Sequence, residues 1–467
     1  MRTGRREFLT AAGAGAIGLA AWPIDVTAFW QAGDPWAAVP SILARIRPPV
    51  FPARDFDITK FGALAGGRTD STKAIAAAIA ACRKAGGGRV VVPAGRFLTG
   101  AIRLESGVNL YVTDGATLAF SQDPRAYLPA VFTRWEGVEL MNYSALIYAF
   151  EAENIAVTGG GTLDGQADGT HWWPWKGNGR PTTAPDTQHA ARARLLDMAA
   201  KGVPVASRVF GEGDFLRPNF IQPYRSRNVL VEGIRITNSP MWEIHPVLCQ
   251  NVTVRGVTVV THGPNNDGCN PESCRDVLIE GCTFDTGDDC IAIKSGRNDD
   301  GRRLNVPSEN IVIRDCVMKD GHGGVVIGSE ISGSARNIFA ERCKMDSPQL
   351  DRALRLKTNA VRGGVIENIF MRDVTIGQVA EAVVTIDFYY EEGANGSFLP
   401  TARNIELRNV TSQKSLHALR LRGFEKSPIQ QVRIRDCRFD GVGKPDVLEH
   451  VQGLTWENTR VNGEVRK

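Results

Sequence analysis

The sequence predicts an all-β chain wound as a right-handed parallel β-helix, with one helix capping its N-terminal end. Two recurrences carry this expectation. Short strands led by a polar residue return at Asn154, Asn228, Asn251, Asp276, Asn310, Asn337, Asn368, Asn404 and Gln431. From Asn228 onward the steps are 23, 25, 34, 27, 31, 36 and 27 residues, so one unit of winding is repeated rather than copied exactly in length. A second strand recurs in the same units at residues 290–295, 324–329, 353–358, 383–388 and 418–423. Each alternates with period two, giving one buried face per strand, and turns this short leave no room for the helix of a leucine-rich solenoid. Repeats of this kind stack along one axis and share a continuous core.

Taken in order, the chain opens with Arg5, Arg6, Glu7, Phe8 and Leu9 before an alanine-rich apolar stretch, and Val26, Thr27 and Ala28 offer a cleavage site. Residues 1–28 therefore read as a twin-arginine export signal, which predicts a periplasmic or secreted protein. Residues 29–50, rich in Pro and Ala, read as a linker, and residues 51–467 as one β-helix domain. Residues 70–85 have Ile75, Ile79 and Cys82 on one face, Thr69, Asp70 and Ser71 as capping candidates, and a glycine run as a stop. This is the predicted cap, since a repeat stack needs a cover at its end. Residues 167–219 break the period; with Trp172, Trp173 and a helical pattern near residues 189–201, they read as an insertion that could form a cleft wall.

The position six residues after each leading polar residue holds Ile234, Val257, Cys282, Cys316, Cys343, Val374, Val410 and Cys437. Cysteine alternates there with valine and isoleucine, the behaviour of a small buried apolar residue rather than of a bridge partner. The leading asparagines predict an amide ladder at one corner. Net charge is +4, from 55 basic and 51 acidic residues without a block of either sign, so neither nucleic acid nor a membrane is expected as partner.

The chemistry is concentrated in residues 263–296. Asp267 and Asp288 are 21 residues apart, close to the repeat length, which predicts neighbouring turns with backbones about 4.8 Å apart. Asp289 adds a third carboxylate, and crowded carboxylates cannot all ionise at their ordinary pKa. His322 has the same offset from its leading residue as Asp288, one turn on. Arg355 and Lys357, two apart on a strand, face one side, and Lys294 occupies the equivalent place in an earlier turn. His262, His245, Tyr389 and Tyr390 are weaker candidates, and Trp172 and Trp173 are read as anchors of the insertion.

Asn265-Asn266-Asp267, Gly287-Asp288-Asp289, Gly321-His322-Gly323 and Arg355-Leu356-Lys357, in this order, resemble the motifs of the polygalacturonase family, glycoside hydrolase family 28. Phe61-Gly62-Ala63 and the cap helix add to the likeness, which spans about residues 55–460. Asn266 stands where many members carry threonine. The resemblance implies hydrolysis of α-1,4 bonds in polygalacturonate with inversion and without a cofactor. It makes Asp288 the acid, Asp267 and Asp289 the water-activating carboxylates, His322 a modulator, and Arg355, Lys357 and Lys294 the binders of a pectic substrate. Residues 321–334 and 351–359 are most like bacterial members that cut from a chain end, and a monomer is expected. Inverting carboxylates are ordinarily roughly 6.5–9.5 Å apart, so inversion rests on the resemblance and not on the one-turn spacing. Other readings stay open: a rhamnogalacturonan or xylogalacturonan hydrolase, a calcium-dependent pectate lyase, or a non-enzymatic β-helix adhesin.

Overall fold

A computed structural model describes residues 33–467; the expected export signal, residues 1–28, lies outside the described residues. The chain divides into two compact units, Met1–Ala38 and Val39–Lys467. In the first, Pro35–Ala38 forms a single 3-10 turn.

The second unit is the parallel coil. Two faces are sheets of thirteen strands each, and all their lateral pairings within the stack are parallel until the final antiparallel pair at residues 460–465. The third face is split into pieces of three and six strands, joined by single bridges from Ile221 to Ile244, to Cys269 and to Ile291. The split falls where the acidic motifs leave the strand path.

Local conformation explains the repeat. The leading residues from Asn228 to Gln431 all have φ between 54 and 62°. Asn and Asp tolerate this left-handed region, and their side chains can also bond locally. The asparagines form the expected ladder: Asn337 donates to Asn310 at 3.1 Å, Asn368 to Asn337 at 2.9 Å and Asn404 to Asn368 at 2.7 Å. The positions six residues on are all buried, and all nine cysteines are unbridged and buried.

The expected linker, residues 29–50, is corrected for the part the structure describes. Val39–Arg45 is helix α1, whose early Pro40 suits a first turn that needs no N–H. Arg45 donates to Asp276 Oδ1 through Nη2 at 2.7 Å. Asp276 lacks the amide N–H that would donate to Asn251, and Arg47 N–H donates to Asn251 Oδ1 instead, at 2.9 Å. The segment therefore completes the ladder at the one rung that an aspartate leaves short of a donor.

Helix α2, Thr72–Lys84, buries Ala74, Ile75, Ala78, Ile79 and Cys82 in the same core as the coil interior. Its first turn is capped by Asp70, which accepts from Thr72 N–H at 2.9 Å. Two excursions rise from the coil. One is an antiparallel hairpin, Val131–Trp135 with Val138–Asn142, to which the sequence reading assigned no element. Its turn residues Glu136 and Gly137 both have positive φ, 42 and 81°, as a two-residue hairpin loop requires. The other holds helix α3, His189–Ala200, within residues 167–219. A short helix α4, Asn298–Leu304, ties both down: its buried Asp300 accepts from Arg208 Nη1 at 2.8 Å and from Glu139 N–H at 2.8 Å. Among the described residues no helix is long and apolar enough to cross a membrane.

Candidate active site

Three successive turns of the coil carry the acids and the histidine. Asp288 N–H donates to Asn266 O at 3.1 Å and Gly268 N–H to Asp289 O at 3.0 Å, which sets the two acidic motifs side by side. His322 N–H donates to Asp288 O at 3.1 Å, so the histidine follows one turn later. Among the acids and the histidine, register brings together positions up to 55 apart, Asp267 and His322 (322 − 267).

The departure at Asn266 is structural. Its buried amide accepts from Thr261 Oγ1 and Gly263 N–H, both at 2.6 Å, and donates to Ser239 O and Met241 O, both at 3.0 Å. All four bonding directions are used, which locks the backbone that presents Asp267.

Each carboxylate leans on a different partner. Asp267 accepts from Asn270 Nδ2 at 2.9 Å and lies 3.4 Å from Lys294 Nζ. Asp288 accepts from its neighbour's N–H at 2.9 Å and from His322 Nδ1 at 3.0 Å. Asp289 takes Lys357 Nζ at 2.6 Å and Arg355 Nη1 at 3.3 Å. Each of the three acids is therefore held by its own partners. The four sequence-predicted acid and histidine positions and the three predicted cations therefore all line one cleft of about 570 Å³. The cations arrive already ion-paired, which the sequence did not reveal. Lys294, Gly328 and Lys357 occupy one column of the third face. Gly328 has φ 107°, and a Cβ there would lie 2.0 Å from the Lys357 backbone O, so the close approach of the two turns requires glycine.

The electrostatics separate the acids. Burial, reinforced by the Asp288 charge, pushes the Asp267 carboxyl well above the usual range. Burial also acts upward on Asp288, but the His322 hydrogen bond and the Lys357, His322 and Lys294 charges outweigh it and hold that carboxyl below the usual range. The same hydrogen bond raises His322 to about 9, against the cost of partial burial.

The chain matches the family model described as Glycosyl hydrolases family 28 over residues 212–457, more than half of its length. It belongs to that family. This family 28 chain is 46% identical to the exopolygalacturonase of Thermotoga maritima, whose structure superposes with a TM-score of 0.89 over 92% of this chain and 96% of that one. It is 28% identical to a probable polygalacturonase of Vitis vinifera, covering 88% of this chain and 78% of that protein. It is 27% identical to the exo-poly-alpha-D-galacturonosidase of Dickeya chrysanthemi, covering 86% and 71%.

Several groups of this family 28 site were missed in the sequence. Glu330 binds Lys294 at 3.0 Å, and Arg297 bridges Glu330 and Glu136, each at 3.5 Å. Glu136 comes from the hairpin turn, and Lys176, Asn178 and Arg192 come from the insertion. No repeat offset points to any of them. The Glu-Gly turn was the only local signal, and it is weaker than Asn-Gly. Of the secondary candidates, His262 and Tyr390 line the cleft. His245 is buried against Glu272 at 2.7 Å, and Tyr389 packs on Phe424 with ring centroids 4.9 Å apart. Trp172 is buried, and the Trp173 indole donates to Ser239 O at 2.9 Å. Among the described residues one group has the geometry to hold a metal ion: His262, Asp285 and Asp320 bring ligand atoms within 4.8 Å of one another. His262 and Asp285 are already paired there at 3.0 Å.

Raising the His322 pKa has a measurable consequence. Its folded-state value of about 9 lies above the ordinary 6.5, so the ion pair with Asp288 stabilises fully below about pH 6.5 and fades as pH rises through 9. The melting-temperature gap between the wild type and His322→Gln should narrow from pH 6 to pH 10. A constant gap would show that the pair carries no such linkage.

Proposed function

We propose that this family 28 enzyme hydrolyses α-1,4 bonds between galacturonates in polygalacturonate, one end residue at a time, with inversion. The observation that carries the reading is the joint floor of the cleft: three carboxylates set among Lys294, Arg355 and Lys357. Hydrolysis needs a proton donor and a water-activating carboxylate, and a chain of uronates needs cations beside them. A neutral sugar polymer would gain nothing from that ring of charge. The Thermotoga and Dickeya relatives, named for exo action, support cutting from the end. So do the hairpin and the insertion, which contribute Glu136, Lys176 and Arg192 to the cleft lining.

In the reaction Asp288 protonates the leaving oxygen. His322 holds a proton 3.0 Å from Asp288 Oδ1, and the two share it as charge grows on the glycosidic oxygen. Asp289 and Asp267 hold the attacking water, whose proton passes to one of these carboxylates as its oxygen bonds to the anomeric carbon and the glycosidic C–O bond on the opposite face breaks. The resting charges favour a second assignment, in which Asp267, the acid pushed upward, donates and Asp288 receives. Because the two titrate as a pair, the resting proton does not fix the donor during turnover. The signal read in residues 1–28 supports a periplasmic or secreted enzyme, tested by fractionating cells that express the full chain.

The deciding measurement is a product assay on polygalacturonate with the anomer followed by NMR. Galacturonate as the first product, released as the β-anomer, is expected. Rapid viscosity loss with a ladder of oligomers would overturn end-wise action. An unsaturated, ultraviolet-absorbing product abolished by chelator would select a lyase instead.

A further inference from the structure

Six lysines and arginines line the cleft among the described residues: Lys176, Arg192, Lys294, Arg297, Arg355 and Lys357. Five are committed to carboxylates of the protein itself: Arg192 to Glu136 at 2.7 Å, Lys294 to Glu330 at 3.0 Å, Arg297 to Glu391 at 3.0 Å, and Lys357 and Arg355 to Asp289 at 2.6 and 3.3 Å. Lys176 differs. Among the described residues no carboxylate oxygen lies within 4.0 Å of its ammonium.

Its mount is rigid. Lys176 ends the 3-10 turn Trp173–Lys176, which closes on Gly177 at φ 76°. A Cβ on Gly177 would come within 2.5 Å of His189 Nε2, so the turn and helix α3 are in close contact there. The Trp173 indole fixes the start of the turn on Ser239 O at 2.9 Å, and Trp175 O accepts from Gln188 N–H at 2.7 Å. Trp175 packs edge-on against Trp172, with centroids 4.8 Å apart. A lysine held this firmly at a cleft is not a solvated surface charge. Burial holds its ammonium below the usual lysine range, and Glu136 and Asp288 are among the charges acting on it.

The substrate supplies what the protein does not. The bond to be cut joins two uronates, so two carboxylates must be matched, one on each side of the acids. Arg355 and Lys357 lie on one strand two turns C-terminal to Asp288, through the register from Ile291 to Val325 to Leu354. The insertion is anchored at Ser239, on a turn N-terminal to Asp267. We propose that the Lys176 ammonium binds the carboxylate of the terminal galacturonate, on the side of the acids opposite Arg355 and Lys357, and so makes Lys176 a specificity-determining residue for the chain end. This rests on the polygalacturonate reading above and adds to it the group that reads the end sugar.

The test compares trigalacturonate with its methyl-esterified trimer. Both have the same length and ring shape, and only the acid offers a charge to Lys176. In Lys176→Met the ratio of kcat/KM for acid over ester should fall about 10- to 100-fold, carried by KM on the acid, as for loss of one charge-assisted hydrogen bond. Lys176→Arg should restore most of the ratio. A wall with only a structural role would lower both substrates together and leave the ratio intact, which would overturn the assignment. Should Lys176→Met fail to fold by circular dichroism, Lys176→Gln takes its place in the same comparison. Wild-type protein inactive on both trimers would overturn the polygalacturonate reading itself. Wild-type activity with an unchanged ratio in the variant would overturn only the role of Lys176.

Discussion

Asp288→Asn should lower kcat on polygalacturonate by about 10²–10⁴-fold, the range for removing a positioned proton donor. The fold should survive, because an asparagine oxygen can still accept from the Asp289 N–H that Asp288 Oδ1 now holds at 2.9 Å. The variant also decides between the two proton assignments. If Asp288 is the acid, a substrate with a leaving group that needs no proton, such as 4-nitrophenyl α-galacturonide, should lose far less rate than the polymer. If Asp288 receives the water proton instead, both substrates should slow alike. His322 gives an internal check, because it stands at about 9 chiefly through its bond to Asp288. Its pKa, followed by NMR, should fall back toward the ordinary 6.5 in the variant. A His322 still near 9 would mean that Asp288 is not what raises it.

Lys294→Met should cost about 3–5 kcal/mol of stability, the usual penalty for breaking a buried ion pair from one side. The lysine side chain is 3% exposed, 3.0 Å from Glu330 and 3.4 Å from Asp267. Its ammonium also lies 4.4 Å from the centroid of the Trp242 ring. Removing it leaves two buried carboxylates with less compensation. Glu330 is held below its ordinary 4.5 against burial, first by Lys294 and then by Arg297. A depressed carboxylate stabilises above its unfolded pKa and loses that contribution as pH falls. The stability gap between wild type and variant should therefore shrink below about pH 4.5, measured by denaturant titration. Activity should report the same change. Lys294 pulls Asp267 downward while burial and Asp288 push it up, so without the lysine the acidic limb of the pH–rate profile should move to higher pH. An unchanged stability would mean that the variant repacks and that the ion pairs at this position are worth little.

The resting field at the acid pair is also informative about design. Asp267 and Asp288 are pushed in opposite directions by their surroundings, one by burial and the other by His322. Two like groups with divergent proton affinity are what acid–base chemistry at one pH requires. The sequence permitted the expectation that one acid would keep its proton, but the resemblance nominated Asp288 for the donor while the resting field raises Asp267. Which of them is raised depends on burial and on a hydrogen bond from another turn.

How much was legible follows from periodicity. The leading asparagines, the buried positions six residues on and the acids one repeat apart were all readable, because each unit of a coil packs on its neighbours in the same way. Arg355 and Lys357 were readable for the same reason, as two residues on one face of a strand. The excursions obey no period. Glu136, on a hairpin turn, and Lys176, on a 3-10 turn, reach the cleft from segments whose local patterns say nothing of their destination. Helix α1 was hidden differently: a Pro- and Ala-rich stretch looks like linker until Arg45 and Arg47 are seen to complete the rung at Asp276 and Asn251.

By itself, then, the sequence determined the winding of this chain and the angular position of its acids and of the cations beside them, since a repeated local conformation leaves a side chain little choice of face. The tertiary structure alone decided which cations are already ion-paired, which carboxyl is pushed above the usual range and which lysine of the cleft has no carboxylate partner among the described residues. Those properties belong to distances between distant segments and to the water they exclude, and neither quantity is written in any one stretch of residues.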